Sequence, residues 1–496
     1  MTALPSASAR VVVLGGGLAG TLAAAALAPH VREVLIVEQD AVLPETPAPR
    51  PRLPQAAHAH MLWAGGADAM EELLPGVTEE WLAAGAHRVP IPHGMVSFSP
   101  AGWYRRSWPD THYLIGAGRD LIDWVVRTRV LRLPNVRVRT GAKVCGLAGN
   151  AARVSGVVLR DAQDARHIVA ADLVVDATGR GSKSTRWLRD IGGPRVRETV
   201  VDAGVRYASR RYRAPQGAET DWPVIHIPAD PRQGGPGLVA TIISIENGQW
   251  HVSLSGTRGG EPSAAEDLFE EFAGRVRHPL VAELLSRAEP VSEVSLYTRT
   301  ANRRRHFEQA DLPEGFIALG DAATSLNPVY GHGMSAAALG AVALRDLTRR
   351  TSVFAPGYAS KAQRAIGRPA AAAWLLAVGQ DRFYPGAVGR KPTLVDRLGA
   401  RYIHRLNHTA IGHGLVVRKL TDVMTLRRPA HVLGLPDVLL AAARGPRMPL
   451  LDGPQLTPRE REVLDRPPLR STGAPAARPG TSGRRDLPPA GRVREA

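Results

Sequence analysis

The stretch RVVVLGGGLAG, which begins at residue 10, constrains the fold more than any other part of the chain. An apolar, Val-rich run leads directly into Gly15, Gly17 and Gly20 in the spacing G-x-G-x-x-G, and an Ala-rich helical pattern follows. Here the first glycine allows a tight turn, the second admits a pyrophosphate to the backbone, and the third lets the helix pack against the strand. Glu38 ends the next apolar run, at the spacing expected of a carboxylate that binds a ribose. This segment therefore predicts a βαβ unit that binds a dinucleotide.

Two later segments repeat the pattern of an apolar strand that runs into a glycine turn. They are DLVVDATGRGSKSTRWL, residues 172–188, and GFIALGDAA, residues 315–323. Three such strands separated by long insertions predict one parallel sheet built from distant segments. Between them, WHVSLSGT at residues 250–257 alternates apolar and polar residues, which indicates a sheet with one polar face.

We therefore predict an α/β chain, α+β overall, with a Rossmann-like domain, an inserted β-sheet substrate domain and a helical C-terminal region. The Rossmann-like domain is expected to be discontinuous, over residues 1–50, 101–194 and 311–350. The β-rich domain is expected at 51–100 and 195–310, and the helical region at 351–455. Residues 456–496 are rich in Pro, Gly, Arg, Ser and Thr, which predicts a disordered tail.

Composition excludes several classes of protein. The net charge of +17 comes mostly from Arg residues scattered among acids, without a basic stripe interleaved with aromatics, so nucleic-acid binding is not expected. An attraction to acidic partners or substrates stays open. The single Cys145 excludes a disulfide framework and a thiolate metal site, and it is expected to be buried filler. No secretory signal pattern and no apolar run of about 20 residues is present, so we expect a cytoplasmic protein without a transmembrane segment.

The stretch GDAATSLNPVYGHGM, residues 320–334, predicts the second half of a cofactor site. Gly331 and Gly333 allow a flat ligand to approach the backbone, and a helical pattern follows from Met334 to about Arg350. The free N–H groups at the start of that helix would point at the ligand.

Together these motifs resemble the FAD-dependent aromatic hydroxylase and squalene epoxidase superfamily, and FAD is therefore the expected cofactor. The resemblance implies that Asp321 meets the ribitol or pyrophosphate of FAD. It also implies that Pro328 and the backbone of residues 331–334 lie beside the isoalloxazine ring, where the helix start would stabilise negative charge on the reduced flavin.

The segment DATGRG corresponds to the Asp-Gly motif of those hydroxylases, but Thr178 stands where they carry Asp, followed by Gly179. In the family that motif is tied to both FAD and the reduced pyridine nucleotide. The sequence also contains no second dinucleotide fingerprint. We therefore expect NAD(P)H as the ultimate electron donor, acting through a separate flavin reductase.

Two further segments are similar to bacterial epoxidases of polyether ionophore biosynthesis: RLPQAAHAHMLWAGG, residues 52–66, and GRDLIDWVV, residues 118–126. This similarity implies that Arg119 binds the phosphate or ribose region of FAD and that Val144 lies beside the adenine. The complete predicted cofactor set is Gly15, Gly17, Leu18, Ala19, Gly20, Glu38, Arg119, Val144, Thr178, Gly179, Gly320, Asp321, Pro328, Gly331, His332, Gly333 and Met334.

The activity that the resemblance implies is epoxidation of C=C bonds in a linear polyene polyketide, a polyether antibiotic precursor, by a flavin C4a-hydroperoxide. The polyene could be free or carried by a protein. Trp250 and Leu254 are candidate pocket residues. His332 is either a proton donor or a turn residue. His58 and His60 are expected to make hydrogen bonds, because residues two apart share no helix face and no acid lies beside them, so no metal is predicted.

Other functions stay open at this point. The first is an FAD-dependent reductase of prenyl or other alkenes, similar to geranylgeranyl reductases. The second is a flavin halogenase, although the W-x-W-x-I-P element of that class is absent. The third is a non-catalytic flavin-binding partner in a biosynthetic complex. Rapid oxygen-dependent reoxidation in the presence of substrate would distinguish an oxygenase from a reductase.

Overall fold

A five-stranded sheet lies at the centre of the first half of the fold, in a computed structural model that describes residues 6–161 and 164–469. All of its pairings are parallel. The strand order is Phe316–Ala318, Leu173–Asp176, Arg10–Leu14, Glu33–Val37, Val136–Arg139. The three glycine-terminated strands expected from the sequence are neighbours in this order, which confirms the prediction of one parallel sheet from distant segments.

Both faces of the parallel sheet are covered, which explains why its strands are apolar along their whole length. Val11 and Val13 belong to a core shared with helices, whereas Val12 and Leu14 belong to a second core on the other face. The helices of the first core are Leu18–Leu27, Ala64–Leu73, Val77–Ala83, Arg119–Leu131, Gly333–Thr348 and Tyr358–Asp381. The second core is closed by helix Ser184–Asp190 and by an antiparallel sheet of Lys143–Gly149, Val154–Arg160 and Arg166–Ala170.

The second half of the fold is an eight-stranded, mostly antiparallel sheet, as expected for the β-rich region. Along the main path the order is Glu289–Pro290, Arg206–Arg213, Gln249–Gly256, Leu238–Ile245, Val224–Ile227, Met95–Ser99, Gly102–Trp103, with Ser295–Tyr297 paired to Arg206–Arg213. One face packs against helices Glu266–Arg275 and Leu280–Leu285. The opposite face carries polar side chains in register, including Ser209, Thr241 and Ser253.

The remaining elements connect and extend these two halves. Two small sheets consist of Met61–Trp63, His112–Gly116 and His87–Ile91, and of Glu198–Val201, Asn302–Arg305 and Thr324–Ser325. The C-terminal helices are Leu394–Ala410, Gly414–Met424, Pro436–Arg444 and Pro458–Asp465. Within residues 6–161 and 164–469, no helix has both the length and the apolarity that a bilayer crossing requires.

Two of the expected domain limits differ from the structure. Residues 64–83 were expected in the β-rich domain, but their helices pack into the first core, because Ala67, Met70 and Trp81 are buried there. Residues 456–469 were expected to be disordered. Instead, Thr457 and Glu460 form a capping box at the start of helix Pro458–Asp465, a signal hidden by the Pro- and Arg-rich composition. Residues 470–496 of the expected tail lie outside the described residues.

Candidate functional site

The two glycine motifs of the sequence meet at the carboxyl edge of the parallel sheet. A Cβ atom on Gly320 would lie only 2.7 Å from the Cβ of Ala19, and Gly320 has a φ of +64°. Gly15 directly follows strand Arg10–Leu14, and Leu319 directly follows strand Phe316–Ala318. One strand, Leu173–Asp176, lies between these two in the sheet. Ligands of open α/β sheets bind at this edge. The predicted halves of the site therefore lie side by side.

Within the first motif, Gly15 and Gly20 are required by packing and Gly17 is not. A Cβ on Gly15 would approach the carbonyl oxygen of Ala177 to 2.7 Å, and one on Gly20 would approach that of Gly15 to 1.8 Å. Gly17 is extended, with φ −80° and ψ −177°, and its Cβ would meet only Leu53 Cδ2, at 3.8 Å. The protein itself leaves space at Gly17, at the start of helix Leu18–Leu27, which fits an anionic pyrophosphate held by the free N–H groups.

Glu38 lies at the end of the second strand with an oxygen still able to accept hydrogen bonds. Its Oε2 accepts from the amide of Gly16 at 2.8 Å, and its Oε1 accepts from the amide of Asp40 at 2.8 Å. Arg50, which the sequence did not indicate, places its guanidinium 2.6 Å from Glu38 Oε2 and donates to Asp40 and to the Gly16 carbonyl. Oε2 already accepts from the Gly16 amide and from Arg50, whereas Oε1 can accept a further bond. Glu38 is thus fixed in place with one acceptor position left, and its contact with ribose hydroxyls stays a prediction.

Replacing Glu38 with alanine should weaken FAD binding by about 1 to 3 kcal/mol, the scale of a charge-assisted hydrogen bond. The fold should survive, because Arg50 keeps its bonds to Asp40 and to the Gly16 carbonyl. Equilibrium titration of the apoprotein with FAD measures the effect. The matched control is Glu33→Ala, which should leave the affinity unchanged. Glu33 is a partly exposed carboxylate on the same strand, and its side chain pairs with Arg10. Equal affinities for the two variants would remove Glu38 from the site.

Val144 lies on a strand that begins close to Glu38. The amide of Ala142 donates to the Glu38 carbonyl at 3.1 Å, and that of Gly141 donates to the Asp40 carbonyl at 2.9 Å. Val144, two residues further on, is half-buried at the start of Lys143–Gly149. Its predicted contact with the adenine stays a prediction.

The turn that contains Thr178 and Gly179 is organised by Asp176. Asp176 Oδ1 accepts from the Thr178 amide at 2.9 Å and from its hydroxyl at 2.6 Å, and Oδ2 accepts from the Ser182 hydroxyl at 2.5 Å. Ala177 lies directly against Gly15. Asp176 therefore lies two positions before Thr178, the position at which the resembling hydroxylases carry their aspartate. Its hydrogen bonds stabilise the turn. The predicted contact of Thr178 and Gly179 with FAD stays a prediction.

Asp321 lies among arginines at the flavin end of the predicted site. Burial raises the pKa of Asp321, while the charges of Arg180, Arg119 and Arg305 lower it. Arg180 Nε is 3.9 Å from Asp321 Oδ2, and Arg119 is anchored by a bond from its Nε to Asp123 Oδ1 at 2.7 Å. Arg119 and Asp321, predicted from separate motifs, thus lie close enough to interact electrostatically. Such a cluster suits the phosphates and ribitol of an extended cofactor.

The loop of residues 327–331 is clamped between two parts of the chain. Gly331 has a φ of +67°, and its Cβ would lie 3.0 Å from Trp63 Nε1, which itself donates to the Tyr330 carbonyl at 3.2 Å. Pro328 is exposed. Gly333 opens helix Gly333–Thr348, and the nearest atom to its Cβ would be Asp321 Oδ1, at 4.0 Å. The start of the helix therefore leaves space at Gly333, and the predicted position of the flavin ring beside it stays a prediction.

A buried carboxylate missed by the sequence analysis holds this loop from behind. Asp381 Oδ1 accepts from the Tyr330 hydroxyl at 2.6 Å, and Oδ2 accepts from the side-chain amides of Asn302 at 2.6 Å and Asn327 at 2.9 Å. Burial raises its pKa. Asp381 ends helix Tyr358–Asp381, about 50 residues after the loop, so no local motif indicates it.

His332 lies behind the loop rather than in solvent. Its ring is 1% exposed, and its Nε2 donates to the Met424 carbonyl at 2.9 Å. Burial lowers its pKa to about 4, so the ring is neutral at pH 7 and its one proton is engaged. Nδ1 is then an acceptor, without a hydrogen-bond partner among the described residues. This geometry favours the turn role over the proton donor. Met334 is buried in the first core.

Trp250 and Leu254, the expected pocket residues, lie on the wrong face of the eight-stranded sheet. Both side chains are 0% exposed, in the core formed with helices Glu266–Arg275 and Leu280–Leu285. The alternation of apolar and polar residues along this strand assigned side chains correctly to the two faces of the sheet. It did not indicate which face is covered by helices. The opposite, polar face contacts residues 57–59: Ser253 Oγ accepts from the Ala59 amide at 3.0 Å.

His58 belongs to this polar face, where its Nδ1 is 2.8 Å from Ser209 Oγ. His60 Nδ1 donates to the His58 carbonyl at 2.7 Å. Both histidines therefore make hydrogen bonds, as the sequence analysis expected.

Lowering the pH from 7 to 5 should destabilise the protein through three of these rings. Burial lowers the pKa of His58, His251 and His332 to about 4, whereas an unfolded histidine titrates near 6.5. The unfolded state therefore binds more protons between these values, and each ring removes about 1.4 kcal/mol of stability per pH unit as the pH falls. The thermal midpoint, measured from pH 8 to 5, should be flat above about 7 and fall below it. His251→Gln should make the decline shallower; an unchanged slope would contradict the assignment.

A family model described as FAD binding domain matches residues 8–346, more than half of the chain. The chain belongs to this family of FAD binding domains. This flavoprotein has FAD as its cofactor. The open space at Gly17 and the start of helix Gly333–Thr348 fit that cofactor.

The flavoprotein is also similar to proteins that it matches over 80% or more of their length. Protein Rv3254 of Mycobacterium tuberculosis is 30% identical over 395 residues, which cover 75% of this chain and 80% of that protein. A triple mutant of the flavin-dependent brominase Bmp2 has a TM-score of 0.62 at 14% identity, with 88% and 97% of the two chains covered. A p-nitrophenol 4-monooxygenase of Pseudomonas putida has a TM-score of 0.56 at 17% identity, with 85% and 99% covered. At these identities the two solved structures establish the fold alone.

Proposed function

We propose that this flavoprotein is a monooxygenase that epoxidises C=C bonds of a hydrophobic polyene, with a linear polyketide that is a polyether precursor as the substrate class. Bound FAD, once reduced, supplies the activation of dioxygen, which needs little chemistry from side chains. Gly17, Glu38 and Asp321 would hold the cofactor, because Gly17 leaves space for the pyrophosphate, Glu38 is a fixed carboxylate and Asp321 lies among arginines.

The proposal rests on the wall that faces the loop of residues 327–331. Tyr207 on the eight-stranded sheet donates its hydroxyl to Asn327 Oδ1 at 3.2 Å, so this side of the sheet adjoins the loop. A small apolar cluster lies there and includes Ala203, Val205, Tyr207, Ala229 and Tyr384, with Val239, Tyr297 and Val329 against it. Apolar and aromatic side chains with few polar groups are typical of a pocket for a hydrophobic substrate.

The same wall offers little to the chemistry of phenol hydroxylation. A phenol substrate requires a group that takes its proton. Burial raises the pKa of Tyr207, Tyr297 and Tyr384, so these phenols stay protonated at neutral pH. His58, whose ring centroid is 5.5 Å from that of Tyr297, has its pKa lowered to about 4 and is a weak base. An alkene needs no proton removed, which supports the polyene.

Mass spectrometry of products formed under isotopically labelled dioxygen tests the proposal. The reduced holoprotein is incubated with linear polyenes, free and linked to a carrier protein, and each epoxide should carry one labelled oxygen atom. A saturated, unlabelled product would assign the chain to the alkene reductases instead. Hydroxylation of an aromatic substrate in preference to the polyenes, or a lack of turnover with every substrate class, would overturn the proposal.

A further inference from the structure

The C-terminal helical region exposes an unusual share of large apolar side chains. Of the nineteen that are exposed among residues 6–161 and 164–469, eleven lie between residues 375 and 450. Single exposed apolar residues are normal on any protein surface, but a local concentration marks an interaction site. The eleven are Leu375, Val388, Leu394, Val395, Leu398, Ile403, Leu435, Leu439, Leu440, Met448 and Leu450.

The same region is strongly basic. Residues 382–450 contain twelve lysines and arginines against three aspartates, which is a net charge of +9 out of +17 for the whole chain. One of the three, Asp396, is already paired with Arg382 and with Arg390, the latter at 3.0 Å. The local field around these helices is therefore positive, and an anionic partner is favoured.

The first turns of helix Leu394–Ala410 present both properties together. Leu394, Val395 and Leu398 are 71%, 77% and 52% exposed, and they lie on adjacent positions of one helix face. Arg397 and Arg401, both exposed, follow on the same turns. Thr393 and Asp396 form a capping box, so this end of the helix is fixed rather than frayed. The apolar side chains are thus held out from the surface by a rigid element.

A second helix with exposed leucines is joined to the first. The Tyr402 hydroxyl donates to the Leu433 carbonyl at 2.6 Å, and Arg405 Nε donates to the Ala442 carbonyl at 2.6 Å. Leu439 and Leu440 of helix Pro436–Arg444 are 47% and 51% exposed. The two helices therefore form one unit, which we call the basic helical surface, residues 394–410 and 430–444.

We propose that the basic helical surface docks this protein on an anionic lipid bilayer. Side chains that are three-quarters exposed on a basic helix suit a deformable surface, into which they insert while arginines bind lipid phosphates. A second copy of the chain is disfavoured as the partner, because a symmetric contact would bring like charges together: the surface carries four arginines against two aspartates, within a region of net charge +9 over residues 382–450. Docking of this kind would give the enzyme access to apolar molecules dissolved in the membrane.

Co-sedimentation of the FAD-loaded protein with vesicles tests the docking surface. The protein should sediment with phosphatidylglycerol vesicles and stay largely in solution with phosphatidylcholine vesicles, and added salt should weaken the binding. The variant Leu394→Glu/Val395→Glu/Leu398→Glu should lower binding to anionic vesicles at least about tenfold. The matched control is Val42→Glu/Ile168→Glu, at side chains 78% and 67% exposed outside the surface, and it should bind like the unaltered protein.

The results of this experiment distinguish a lipid bilayer from a second copy of the chain as the partner. A protein that does not sediment with anionic vesicles, or a triple variant that binds them normally, overturns the proposal. A dimer that dissociates in the triple variant without any vesicle binding assigns the surface to a second copy and also overturns it. Because the FAD absorbance and far-UV circular dichroism of each variant report folding, a misfolded variant is recognised, and Arg397→Glu/Arg401→Glu then gives the same test. Vesicle binding needs no substrate, so its failure is independent of the proposed epoxidation.

Discussion

Replacing Gly17 with valine should abolish FAD binding while leaving the fold intact. The backbone at Gly17 is extended, a conformation that valine adopts readily, and the position of a Cβ is free of protein atoms to 3.8 Å. In the holoprotein that space is where the pyrophosphate must approach the helix start. We expect the dissociation constant for FAD to rise at least about 100-fold, or about 3 kcal/mol. Fluorescence titration of the apoprotein measures it, with circular dichroism to report the fold.

The control for this variant is a valine at a glycine that is equally open but remote from the cofactor. Gly274, exposed near the end of helix Glu266–Arg275, has no atom within 4 Å of its Cβ position. Gly274→Val should bind FAD normally. A Gly17→Val protein that purifies yellow, with an unchanged affinity, would show that the pyrophosphate does not lie at this turn.

The second large effect that we expect is in electron supply. NAD(P)H alone should reduce the bound FAD slowly, and a separate flavin reductase should raise the rate at least about tenfold, which corresponds to roughly 1.4 kcal/mol in the barrier. The reason is that the chain holds one dinucleotide fingerprint, and its Asp-Gly segment has Thr178 in place of Asp. In the structure Asp176 is committed to holding that turn.

Anaerobic stopped-flow measurement of flavin bleaching tests this expectation. The assay includes a polyene, since a bound substrate can accelerate direct reduction. Thr178→Asp, which restores the residue of the resembling hydroxylases, is the informative companion variant and should speed direct reduction if the segment governs it. Rapid, saturable reduction of the unaltered protein by NAD(P)H without a second protein would place it in the single-component class.

The parts of the site that local patterns specify were predictable from the sequence. Gly15, Gly17 and Gly20 have a fixed spacing because one turn and one helix start must bind the pyrophosphate, and Glu38 ends the adjacent strand. Arg50 and Asp381 were not predictable. Arg50 reaches Glu38 from a Pro-rich loop, and Asp381 reaches Asn327 from the end of a long helix. Contacts between distant segments obey no spacing rule.

The error at Trp250 and Leu254 has a general physical cause. A period of two assigns alternate residues to opposite faces of a sheet but does not say which face is covered. Here helices Glu266–Arg275 and Leu280–Leu285 cover the apolar face, and Ser253 on the polar face contacts Ala59, just before strand Met61–Trp63. The polar face of the eight-stranded sheet is therefore the one nearer to the loop of residues 327–331.

The contact between Ala19 and Gly320 has a consequence for how the enzyme is made. Roughly 300 residues of chain separate the two sides of the cofactor cleft. At about 5 to 20 residues per second, a ribosome releases the first strand roughly 15 to 60 seconds before the strand that completes its sheet. During the later part of this time the edge of Leu173–Asp176 is without its final neighbour, Phe316–Ala318. The growing chain therefore exposes an unpaired edge of an apolar sheet, and FAD has no complete site to bind until that last strand is made.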